Sequence, residues 1–87
     1  MYIVVVYDVG QKRVGKMLKL CRRYLSWIQN SVLEGNLTEA QLAEFITEAK
    51  ALMDSRVDSL IIFKARQERW LDKQVIGQER GQTGNFL

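Results

Sequence analysis

The chain opens on an apolar run. Met1 to Tyr7 holds β-branched and aromatic residues with no polar interruption, which reads as a strand buried on both faces. Gly10 breaks the pattern. From Gln11 to Leu25 the spacing becomes helical, with Val14, Met17, Leu18, Cys21 and Leu25 forming an apolar stripe. Lys12, Lys16, Lys19 and Arg23 repeat with the same period on another side, so this predicted helix offers one face to a sheet and a basic face to water or phosphate.

The next stretch is short and mixed. It predicts strands over 26–29 and 31–36, joined by a tight turn at Gln29-Asn30. Thr38 and Gln41 have the spacing of a capping box, and Glu39 sits in the first turn, where the helix dipole favours an anion. The helix they start carries Leu42, Phe45, Ile46, Ala49 and Met53 on its apolar face and ends near Asp54. Val57 to Ala65, with Leu60-Ile61-Ile62-Phe63 inside it, predicts a fourth strand. The remainder is polar and punctuated by Gly77, Gly81 and Gly84, with one more short strand candidate over Lys73 to Ile76.

Strand, helix, strand, strand, helix, strand is the order of an α+β, ferredoxin-like β-α-β-β-α-β sandwich. Its antiparallel sheet carries both helices on one face. The first strand is apolar on both sides, so the other face also needs a cover. A second copy of the chain, sheet against sheet in a face-to-face homodimer, supplies it most simply. The whole of 1–87 reads as one domain, with a tail from about residue 66 that holds the short strand candidate.

Composition narrows the chemistry. Hydrophobic residues at 47% and charged residues at 26% describe a folding chain rather than a disordered one. No apolar run approaches the roughly 18 residues of a membrane span, and Tyr2 to Val6 lacks the flanks of a signal peptide. The single cysteine, Cys21, cannot close an internal disulfide, which fits a reducing, cytoplasmic setting. There is no histidine, which excludes Ser-His and Cys-His nucleophiles, histidine general acids and histidine-bound zinc. Any metal is then held by oxygen, pointing to magnesium, manganese or calcium. The net charge of +3 is mild but unevenly spread. Residues 1–30 hold six basic groups against Asp8 alone, while residues 31–60 hold six acids against Lys50 and Arg56. The first helix is therefore a candidate polyanion surface.

Asp8, at the end of the first strand, is the one acid before Glu34. Asp8 with Gln11 has the spacing of an N-cap and its capping-box partner. A second use follows from symmetry. Two Asp8 carboxylates, one from each copy, can share a divalent ion completed by water, as magnesium prefers. A carboxylate has enough lone pairs for both uses. Tyr7 reads as a packed aromatic pointing to the opposite sheet face, with a catalytic role as the alternative. Arg13, Lys12 and Lys16 read as solubilising charge or as phosphate contacts. Cys21 belongs to the core, Ser26 and Ser31 lack a base, and Glu44 and Glu48 sit on a solvated face. There is no GxGxxG, P-loop, CxxC or HExxH pattern.

Several blocks resemble one family. Tyr7-Asp8-Val9 closing the first strand, the basic first helix, Ile28-Gln29-Asn30-Ser31-Val32-Leu33-Glu34-Gly35, and Asp58 ahead of Leu60-Ile61-Ile62-Phe63 are similar to the Cas-two family of CRISPR-associated proteins, over nearly the whole chain. The resemblance implies a ferredoxin-like homodimer with a magnesium ion (manganese as the substitute) between paired aspartates, here Asp8. It implies a metal-dependent endoribonuclease, with double-stranded DNA as the other substrate described for members, and Tyr7 and Arg13 beside Asp8 as catalytic residues. It also implies that the tail after residue 65 adds a strand to the partner chain or docks the integrase, and a place in spacer acquisition, where the dimer bridges two dimers of the companion integrase and contacts duplex DNA through basic residues. Here those are Lys12, Arg13, Lys16, Lys19 and Arg23. The alternative it carries is a non-catalytic DNA-binding scaffold. The chain departs from the pattern at Trp27, where many members have arginine, and at Leu33, where many have phenylalanine.

Overall fold

In the computed structural model, which describes residues 1–80, seven elements follow in order. They are β1 (Tyr2–Asp8), α1 (Gln11–Arg22), β2 (Ser26–Gln29), β3 (Val32–Asn36), α2 (Glu39–Leu52), β4 (Ser59–Ala65) and a 3-10 turn over Glu68–Trp70. The four strands form one antiparallel sheet in the order β2-β3-β1-β4. That is the α+β, ferredoxin-like arrangement expected from the element order.

Alternation along β1 divides its side chains between two layers. Ile3, Val5 and Tyr7 point toward the helices. There they meet Met17, Leu20 and Cys21 of α1, Leu42, Phe45 and Ala49 of α2, and Leu33 of β3 in one buried core. Fully burying an aliphatic or aromatic side chain of this kind stabilises by about 1.5–3 kcal/mol. Phe45 and Tyr24 add an edge-to-face contact at 5.5 Å between centroids.

Thr38 caps α2 as its spacing predicts. Its hydroxyl accepts from the Gln41 N–H at 3.1 Å, and its own N–H donates to the Gln41 side chain at 2.9 Å. The β2–β3 turn places Asn30 in the left-handed region at φ 34°, which asparagine tolerates better than most residues.

The first helix differs from its predicted form in two respects. It ends at Arg22 because the next amides turn back to carbonyls three residues earlier, Arg23 to Leu20 and Tyr24 to Cys21, which tightens the last turn. Leu25 therefore reaches the core from the following loop. The buried stripe is also rotated. Leu20 lies inside it, whereas Val14 is 43% exposed. Periodicity alone locates a stripe only to within neighbouring positions, and the sheet's placement selects among them.

The opposite sheet face is partly open. The ladder sets Val4 beside Glu34 and Phe63, and Val6 beside Val32 and Ile61. Ile61 and Phe63 remain 51% and 55% exposed. Residues beyond the 3-10 turn cross the β2–β3 side of this face. Lys73 donates to Glu34, which also accepts from the Tyr2 hydroxyl, and the Arg80 N–H donates to the Ile28 carbonyl at 2.7 Å. Leu71, Lys73 and Ile76 help enclose a cavity of about 380 Å³ over Tyr2, Val4 and Val32. Lys73–Ile76, expected as a strand, pairs with no strand among the described residues and meets the sheet face through side chains. The Asn85-Phe86-Leu87 ending lies outside the described residues.

Candidate active site

Asp8 is the last residue of β1, paired across the ladder with Ser59. Its parity places it on the open sheet face, with Val4 and Val6, and it is exposed. It does not cap α1. The strand runs through Asp8, Val9 and Gly10 intervene, and Gly10 holds the N-cap position with no side-chain hydrogen bond. The capping-box reading of Asp8 and Gln11 is thereby corrected, and the carboxylate is left for other partners.

Asp58 supplies the anion that α1 lacks in its own first turn. Its side chain is fully buried and accepts four hydrogen bonds. The Gly10 N–H donates at 2.8 Å, the Asp54 N–H at 2.9 Å, and Arg13 at 2.5 Å through Nε and 2.9 Å through Nη2. The hydrogen-bonded guanidinium, aided by the two amides, outweighs burial and holds the Asp58 carboxyl well below the usual carboxylate range. A buried carboxylate at a helix N-terminus also complements the helix dipole. The pairing spans 45 positions in the chain. Its signals in the sequence were weak: a helix start carrying Lys12 and Arg13 without an acid, and an isolated Asp58 ahead of a strand.

The structure does not bring Tyr7 to Asp8. Tyr7 is 5% exposed, on the helix side of the sheet, where burial pushes its phenol up, with Cys21 contributing less. Arg13 lies on the inner flank of α1 and is committed to Asp58. Lys12, Lys16 and Lys19 are exposed. Lys19 lines a shallow depression of about 430 Å³ with Gly15, Leu18, Arg22 and Arg23. Arg23 is bidentate to Glu48 at 2.9 and 3.3 Å, so part of its charge is spent within the protein. The Tyr24 hydroxyl also donates to Glu48, and this bond, with Arg23, holds the Glu48 carboxyl below its ordinary value. Arg22 and Arg80 lie over the Trp27 ring at 5.2 and 5.4 Å from its centroid. The indole, at a position where the sequence departs from the Cas-two pattern, thus orders two guanidinium groups.

Among the described residues no group of three or more Asp, Glu, Cys or His side chains converges on a metal position. Asp8 offers one exposed oxygen donor, of the kind magnesium takes one or two of while keeping several waters.

The sequence pattern of the CRISPR associated protein Cas2 family matches residues 1–73. The chain is 42% identical to a Fusobacterium nucleatum protein named CRISPR-associated endoribonuclease Cas2, over all of this chain and 87% of that one. A protein of the same name from Dictyoglomus turgidum is 39% identical over the full length of both. A crystal structure of a Cas2 protein superposes with a TM-score of 0.82 at 40% identity, covering 92% of this chain and 90% of the other. Streptococcus pyogenes Cas2 superposes with a TM-score of 0.73 at 26% identity, covering 86% and 100%. The fold and a match spanning nearly all of the described chain lead to one assignment: this protein belongs to the Cas2 family of CRISPR-associated proteins.

Proposed function

We propose that the chain is a magnesium-dependent endoribonuclease acting as a homodimer. The observation that carries this reading is the placement of Asp8. It is a solitary exposed carboxylate on the open sheet face, bordering Val4, Val6, Ile61 and Phe63, in a chain whose relatives are named endoribonucleases. Joining two such faces brings the Asp8 groups of both copies to the rim of one apolar contact, where they hold the ion together. When bound, magnesium or manganese acidifies an attacking water and offsets charge on the phosphodiester. Lys12, Lys16 and Lys19, exposed on α1, offer the nucleic-acid backbone a cationic surface, which Arg22 and Arg23 extend. Tyr7 packs behind Asp8 and stiffens the end of β1. Single-stranded RNA is the substrate, with duplex DNA the alternative. The test is RNA cleavage with magnesium by the wild-type protein and Asp8→Ala. Loss in the variant and on chelation is expected, and equal activity in both would overturn the reading.

The exposed lysine stripe also supports a non-catalytic role, in which the dimer is a DNA-binding scaffold between integrase dimers during spacer acquisition. Lys16→Glu with Lys19→Glu then weakens duplex binding and flattens its salt dependence, while Asp8→Ala still supports acquisition. Unchanged duplex affinity in the lysine variants counts against it.

A further inference from the structure

We propose that Arg13 and Asp58 form a clamp that holds the turn directly after Asp8 and so positions that carboxylate, and that Arg13 acts through this clamp rather than by contacting phosphate. The inference rests on the nuclease reading and names two positioning residues for it. Asp58 stands just ahead of β4, yet its two oxygens reach three separate segments. Oδ1 takes the Gly10 N–H, two residues after Asp8, together with Arg13 Nη2. Oδ2 takes Arg13 Nε and the N–H of Asp54, at the start of the loop after α2. A carboxylate so engaged is fixed in orientation, and the guanidinium facing it spends its Nε–H and an Nη2–H on that carboxylate.

Gly10 makes the fit close. A Cβ there would lie 2.5 Å from Arg13 Nη2 and 3.7 Å from Asp58 Oδ1, so any larger residue displaces the guanidinium. Arg13 is offset from the exposed Lys12-Lys16-Lys19 row and turned inward, which separates the cation that shapes the site from those that meet solvent.

The experiment compares Asp58→Asn, Arg13→Gln and the double variant for RNA cleavage, for RNA affinity and for Mn²⁺ affinity, together with NMR of the wild type. Asp58→Asn keeps an acceptor for Gly10 but loses the charge that holds Arg13. Under the clamp each single variant lowers kcat about tenfold or more at unchanged KM. Mn²⁺ binding weakens, and the double variant is no worse than either single one. If Arg13 instead contacts phosphate, Arg13→Gln raises KM, and Asp58→Asn, by freeing the guanidinium, tightens RNA binding. That pattern overturns the proposal. If the variants fail to fold, the wild type still decides. The Arg13 Nε–H resonance stays protected from exchange and unmoved by saturating RNA under the clamp, and a shift on RNA addition refutes it. Should Asp8→Ala cleave as well as wild type, the nuclease reading fails, while the resonance and Mn²⁺ measurements still report on the clamp.

Discussion

Phe63 lies directly across the β1–β4 ladder from Val4, on the sheet face that carries no helix, and more than half of its surface is open to water. Ile61 stands beside Val6 in the same way, two residues along. A contiguous apolar patch of this kind on a small chain marks a contact surface. Phe63→Glu is therefore expected to convert a dimer to a monomer in light scattering, while circular dichroism stays native. A variant that remains dimeric would place the interface elsewhere.

The Asp58 network makes a prediction about acid. Its carboxyl is depressed in the fold by Arg13, so it stays ionised at pH values where the unfolded chain has protonated it. The stabilisation is complete above the ordinary aspartate value of about 3.9 and is lost progressively as pH falls below it. The melting temperature of the wild type should fall more steeply than that of Asp58→Asn between about pH 5 and pH 2. Parallel curves would show that the pair carries no such linkage.

Burial pushes the Cys21 thiol up to about 12. A thiol held neutral by the fold ionises first in the unfolded chain, so its contribution to stability declines as pH rises past the ordinary value of about 8.5. Native protein at mildly alkaline pH should react with a maleimide far more slowly than protein in denaturant. Comparable rates would mean that the α1 face opens readily.

The rotated stripe on α1 can be tested by truncation. Met17 is fully buried, so Met17→Ala is expected to cost about 2–5 kcal/mol in urea unfolding. Val14, though apolar and in helical register with it, is exposed, and Val14→Ala should stay within about 0.5 kcal/mol. Similar losses for both would restore the stripe read from periodicity.

Local physics made much of this protein legible from its residues. Apolar runs, turn signals and helical spacing located the four strands and two helices of the described residues, because burial and chain reversal leave local marks. Thr38 and Gln41 announced their helix start because both partners lie within one turn. The order of elements restricted the topology to the ferredoxin-like sandwich, and Asp8 and the lysine row could be named because strand ends and helix faces are local properties. What the tertiary structure decided is what depends on partners distant in sequence. It set which flank of α1 is buried, since the sheet and α2 choose it. It released Asp8 from the cap and gave that anionic role to Asp58, 48 positions from the Gly10 amide it serves. It turned Arg13 inward, paired Arg23 with Glu48 and placed Tyr7 in the core. Charge and hydrogen bonding act through space, and the spacing of residues along a chain records such neighbours only when they fall within a few positions.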